Sequence, residues 1–266
     1  MKRRVKMPFA LVAAGIAALS LAVPRLAAQE KTDFKIPRTA DGKPDFNGVW
    51  TSGGAERLGD LGGGPPRFAS APNLPRAEPL PYQPWAEAER QKYLERRGID
   101  DPIGRCMMPG VPRTTGMPMP IQFVQAPKQF IILYEAYHAY RVIPFDAAHP
   151  ADIEPSFMGD SVAHWDGDTL VVDVIGFNTR TWISGVGSVH TDRLHVVERY
   201  RFVDSQTVVL EATIEDPGAL TRPWKQYFTL RLAPGERIRE YECLENNEDL
   251  LRFEQILKTD PRYQKK

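Results

Sequence analysis

The stretch SVAHWDGDTLVVDVIGF, residues 161–177, sets two runs of apolar and β-branched residues on either side of Asp166-Gly167. An Asp-Gly step between such runs marks a tight β-hairpin, because glycine readily supplies the positive φ that the turn requires. Two further segments repeat the arrangement. LHVVERYRFVDSQTVVLEATIEDP (194–217) turns at VDSQ, and WKQYFTLRLAPGERIREYEC (224–243) reads as a third hairpin through Pro234-Gly235. From Ile121 onward such runs recur at the spacing of an antiparallel sheet.

Side chains alternate across a strand, so the apolar set identifies the buried face. In residues 195–203 that set is Val196, Glu198, Tyr200 and Phe202, against His195, Val197, Arg199 and Arg201. The pattern therefore buries Glu198, and a buried carboxylate needs a donor. In residues 224–232 the inward set is Trp224, Gln226, Phe228, Leu230 and Leu232.

Earlier, PDFNGVW (44–50) contains Gly48-x-Trp50, which is similar to the G-x-W that opens the first strand of lipocalins. With successive hairpins and few helix signals, the expected fold is mainly β, an antiparallel up-and-down barrel of lipocalin or calycin type. A two-sheet β-sandwich has the same periodicity and is the alternative.

Residues 53–120 are dense in Gly and Pro and read as an extended arm that cannot sustain regular pairing. Within it, PWAEAERQKYLERRG (84–98) has Pro at its start, helix formers inside and Gly at its stop, and predicts one short helix. The expected organisation is a signal peptide over 1–28, an N-terminal segment with the first strand over 29–52, the arm, an antiparallel β domain over 121–257 and a tail over 258–266.

The signal-peptide expectation rests on MKRRVK, then the apolar run FALVAAGIAALSLAV, then small residues at Ala27 and Ala28. The run is short for a membrane span, so the mature chain is expected to be periplasmic or secreted, with no span after removal. The whole chain carries 34 basic and 34 acidic residues. Residues 1–28 hold five basic side chains (Lys2, Arg3, Arg4, Lys6 and Arg25) and no acidic ones, which leaves 29 basic against 34 acidic. A mildly acidic chain without basic clusters argues against a nucleic-acid partner. Cys106 and Cys243 are the two cysteines, and in an exported chain the first reading is a disulfide. Two separately buried thiols are the alternative.

LYEAYHAYR (133–141) spaces Glu135, His138 and Arg141 three apart. On a helix this would gather them, as in carboxylate-bridged metal bundles. The β-rich surroundings favour strands over about 130–135 and 139–145, with a turn or bulge at 136–138. A second concentration, HTDRLHVVERYR (190–201), follows a Gly-rich loop. His138 and His195 are the proton-transfer candidates, Glu135 and Glu198 would orient them, and Arg141 and Arg199 would hold an anion. The candidate ligand-lining residues are Tyr134, Tyr140, Asp173, Asn178, Trp182, His190 and Trp224. Against this stands a purely architectural role, with the same charges paired to close the barrel ends.

A zinc site would take His138, His190 or His195 with Asp173 or Glu198, but no H-E-x-x-H or paired C-x-x-C accompanies them, so no metal or other cofactor is expected. Ser161 lacks the G-x-S-x-G elbow of a hydrolase. His149 and His164 read as surface or turn residues. No Gly-rich phosphate loop follows a strand.

RCMMPGVPR, VQAPKQFIILYEAYHAYRVIPFD, FMGDSVAHWDGDTLVVDVIGFNTRT, LHVVERYRFVDSQTV, EDPGALTRPW and EYECLENNEDL, in this order, resemble a family of uncharacterised secreted proteins of acidobacteria and some proteobacteria. The likeness spans about Asp41 to Leu250. It implies export and a β-rich fold, and no catalytic residues. Where relatives tend to continue E-G-N-Y after the second cysteine, this chain has ENNED. The expected function is binding of a small apolar or aromatic molecule, with cofactor-independent acid–base chemistry of lyase, isomerase or cyclase type as an extension, a non-catalytic ligand-binding or structural module as the alternative, and a mononuclear metal enzyme with His and carboxylate ligands as a second alternative. The oligomeric state is left open.

Overall fold

The computed structural model describes residues 34–55, 71–75, 78–96, 98–185, 187–245 and 247–264. The expected signal peptide and the Gly-rich start of the arm lie outside these residues. Among the described residues nine strands form one sheet: β1 (Gly48–Ala55), β2 (Ile121–Ala126), β3 (Gln129–Tyr134), β4 (Tyr140–Pro144), β5 (Asp160–Asp166), β6 (Thr169–Ile175), β7 (His195–Asp204), β8 (Thr207–Glu215) and β9 (Trp224–Leu232). Their order is β4-β3-β2-β1-β9-β8-β7-β6-β5, and every ladder is antiparallel.

This is an up-and-down barrel, because β1 pairs with β9 through Trp50 and Leu232 and joins the two halves. Nine is odd, so alternating directions around a ring force one parallel pair. That pair is β4 and β5, where the ladder is reduced to a parallel bridge between Phe145 and Ala163. The barrel is therefore nearly closed, with its seam at β4 and β5. One continuous sheet replaces the sandwich alternative.

The hairpins at Gly167-Asp168 and Ser205-Gln206 form as expected. The third does not: after Leu232 and the Pro234-Gly235 turn no strand returns among the described residues. The free edge of β9 is already taken by β1, so residues 236–243 have no ladder to join. LYEAYHAYR is strand, a short 3₁₀ turn (Ala136–His138) and strand, so its three-residue spacing does not gather its polar side chains.

One end of the barrel is filled by aromatic rings. Phe46 stacks on Phe202 with centroids 4.8 Å apart, Phe123 meets Phe130 at 5.2 Å, and the Trp50 Nε1–H donates to the Phe46 carbonyl at 2.9 Å. Gly48 has φ +132°, and a Cβ there would lie 2.9 Å from Leu232 Cδ1. Only glycine suits that backbone, which gives the G-x-W step its physical meaning here.

The described part of the arm makes regular contacts with the barrel. Helix α1 (Pro84–Glu95) follows a bridge between Tyr82 and Leu220, and Gln83 N–H donates to Ala219 at 2.7 Å. Residues 71–75 lie on the outer face of β8 and β9, where Ala71 N–H donates to Thr229 Oγ1 at 3.0 Å. Tyr227 and Thr229, which alternate with the inward set of residues 224–232, are therefore buried as well. Cys106 and Cys243 form a disulfide. A second helix, α2 (Glu248–Thr259), follows it, and the short α3 (Pro261–Gln264) ends the described chain. No helix among the described residues is long and apolar enough to cross a membrane.

Candidate functional site

The register stacks the inward side chains of β5 to β9 in layers. One layer is Trp165, Leu170, Tyr200, Leu210 and Phe228, and another is Ser161, Val174, Val196, Ile214 and Trp224. Between them lies Ala163, Val172, Glu198, Ala212 and Gln226. This middle layer combines small side chains with two polar ones. Glu198 is fully buried and Gln226 is 4% exposed.

Arg141 enters this space from β4. Its Nη1 lies 2.6 Å from Glu198 Oε2, while Nη2 and Nε donate to Ser161 Oγ at 2.9 and 3.2 Å. The Tyr200 hydroxyl donates to Glu198 Oε1 at 3.2 Å, and Tyr134 lies nearby with its hydroxyl 3.4 Å from Thr115 Oγ1. Burial alone would lower the Arg141 pKa, but the charge and hydrogen bond of Glu198 together with the Tyr134 and Tyr200 phenols outweigh it and raise it. Burial, reinforced by Glu198, pushes both the Tyr134 and Tyr200 phenols up, so they stay neutral. One group stands apart. Gln226 Oε1 is buried and has no hydrogen-bond partner among the described residues.

A second polar group lies on the outer face. His195 Nε2 is 2.6 Å from Asp173 Oδ2, and His149 bridges Asp173 Oδ1 at 2.9 Å and Asp160 Oδ1 at 2.5 Å. Glu215 Oε2 is 3.6 Å from His195 Nδ1. His149 comes from the connection between β4 and β5, so this contact pins the connection to the barrel wall. Burial pulls its pKa down, but Asp160 and Asp173 together outweigh that and hold it raised. Asp173 is shifted the other way, its two imidazole partners outweighing burial.

The expected acid–base set does not assemble. Glu198 and His195 lie on opposite faces of β7, as residues three apart on a strand must. Glu198 therefore serves Arg141, and Asp173 orients His195. Glu135 Oε2 accepts from Arg239 N–H at 2.8 Å and His138 Nε2 from Tyr241 N–H at 3.3 Å, so both hold the segment leading to Cys243. Arg199 pairs with Asp166 at 2.5 Å on the outer surface.

The expected lining residues also separate. Tyr134 is interior, as is Trp224, whose indole N–H donates to the Glu78 carbonyl at 2.9 Å. Tyr140 is 66% exposed, because alternation on β4 sends Arg141 and Ile143 inward. Asn178 accepts from Arg180 N–H, and Trp182 packs on Tyr93 of α1 with centroids 4.9 Å apart. His190 is buried against Thr181 Oγ1 at 2.7 Å, and burial lowers its pKa. Among the described residues no three His, Cys, Asp or Glu side chains are grouped to hold a metal ion, and His138, His190 and His195 each bond a different partner.

Sequence reasoning missed three contributors. Ser161 reads from the sequence only as a nucleophile candidate, His149 only as a surface or turn residue, and Gln226 only as part of an inward set. A polar residue in an inward set was the available signal for Gln226. No protein-family model and no curated protein matches this chain.

Proposed function

We propose that this chain is an exported β-barrel that binds a small, largely apolar or aromatic molecule in the interior layer between Glu198 and Gln226. The observation that carries the reading is the buried Gln226 Oε1 without a protein donor. Leaving such an acceptor unsatisfied costs about 1–3 kcal/mol, which a ligand donor would recover. Ala163 and Ala212 in the same layer are smaller than Trp165, Leu210 and Ile214, residues at the matching positions on their strands in the layers on either side. Aromatic walls from Tyr200, Phe228 and Trp224 suit a ring.

The reading is binding rather than turnover, because His138 and His195 are each tied to different partners. Export is supported by the signal-like N-terminus and by the disulfide. The ordered motifs support membership of the secreted β-rich family that they resemble.

Thermal-shift screening of the mature, oxidised protein against small aromatic compounds tests the proposal. A ligand at about 100 times its Kd stabilises the fold by about 2.7 kcal/mol. The expected result is stabilisation of the parent that is reduced in Gln226→Leu. No stabilising compound, or equal stabilisation of the variant by every hit, would remove the reading.

A further inference from the structure

We infer that the molecule held in this layer is a neutral ring compound bearing one hydrogen-bond donor, of the phenol or indole class. The inference rests on the interior site proposed above and adds the chemistry of its occupant.

Charge is the first constraint. Among the described residues the charged pair of this layer is Arg141 and Glu198, and they face each other at 2.6 Å. The guanidinium is also engaged by Ser161 through Nε and Nη2, and the second carboxylate oxygen by Tyr200. A carboxylate ligand could recruit Arg141 only by stripping Glu198 of its counter-ion inside the barrel. An ammonium ligand would strip Arg141 in the same way. Either exchange leaves a buried charge unpaired, which costs far more than a new contact returns. The occupant is therefore neutral.

Polarity is the second. On the inward faces of β5 to β9 the buried atom that lacks a partner among the described residues is an acceptor, Gln226 Oε1, and the ligand must supply an N–H or O–H. Gln226 stands between Trp224 and Phe228 on the inward side of β9, and its cross-strand neighbour is Ala212. A donor directed at Oε1 therefore belongs to a molecule whose body lies over Ala212 among aromatic rings. That shape is a single or fused ring with a polar atom at its edge.

Calorimetric titration of the mature, disulfide-bonded protein at neutral pH separates the possibilities, with phenol, indole, anisole, benzoate and benzylamine as probes. Phenol or indole is expected to bind, with anisole at least about tenfold weaker because it only accepts. Benzoate and benzylamine are expected to give no measurable heat of binding. Gln226→Leu should bring phenol and anisole to similar affinity, and Ala212→Leu should abolish binding of both.

Anisole, benzoate or benzylamine binding as tightly as phenol, and lost in Ala212→Leu, would overturn the ligand class while leaving the interior site standing. Failure of every probe, or binding that neither substitution changes, would overturn the site and the class together. Circular dichroism and urea denaturation of each variant show whether it is folded. If Ala212→Leu does not fold, the ratio of phenol to anisole affinity in Gln226→Leu decides.

Discussion

Arg141 on β4 and Glu198 on β7 meet inside the barrel, Nη1 to Oε2 at 2.6 Å, beside the one strand pair whose ladder parity forbids an antiparallel match. The same guanidinium holds Ser161 on β5. Side-chain bonds thus take over at the β4–β5 seam, where the backbone ladder gives way to one bridge.

Breaking this staple should be costly, and removing it whole should not be. Arg141→Met leaves Glu198 buried without its cation and is expected to lower unfolding free energy by about 3–5 kcal/mol. The double variant Arg141→Met, Glu198→Leu should recover most of that loss. Urea denaturation measures both, and a double variant no better than the single one would assign the loss to strand packing instead.

The Cys106–Cys243 bond encloses a separation of 137 residues, and the segment before Cys243 is held further by Glu135 and His138. Replacing both cysteines with serine should cost about 2–5 kcal/mol. Residues 236–247 should then become the first site of limited proteolysis. Unchanged stability on reduction would show that the contacts from Glu135 and His138 suffice.

The His149 clasp predicts a pH dependence with a definite sign. Both ring nitrogens face carboxylates, Asp160 and Asp173, with His195 and Glu215 completing the charged surroundings. Its folded pKa is raised above 6.5, so the stability it adds is complete below that value and is lost as pH rises through the folded pKa. Asp173 has the opposite sign: its folded pKa lies below 3.8, and its contribution is lost as pH falls through the folded value. The clasp is therefore strongest between about pH 4 and 6.5. Denaturation midpoints measured from pH 5 to 9 should fall through the upper limit in the parent and fall less in His149→Asn. Parallel profiles for the two proteins would contradict the clasp.

Gly48→Ala tests the opening of β1. With φ at +132° and Leu232 Cδ1 2.9 Å from a new Cβ, the substitution should cost about 1–3 kcal/mol. Thermal denaturation reads this directly, and a neutral result would mean that the β1 entry shifts to relieve the strain.

Turn chemistry and alternation were legible in the chain. Asp166-Gly167 and VDSQ located two hairpins, and the inward set of residues 195–203 placed Glu198 in the core before any partner was known. These are local properties: a strand repeats every two residues, and a tight turn needs its own φ. The Pro234-Gly235 turn carried the same local signal and yet no strand follows it, because β1 already occupies the edge of β9.

Which carboxylate meets which cation was decided by register between strands distant in sequence. Arg141 finds Glu198 across 57 residues, and His149 finds Asp173 across 24. Glu198 and His195, neighbours in the chain, were separated by the pleat that sends them to opposite faces. The local sequence thus determined strands, faces and the burial of Glu198. Barrel closure alone decided the partners, the parallel seam and the unsatisfied acceptor at Gln226, since each depends on how far one strand slides and tilts against another.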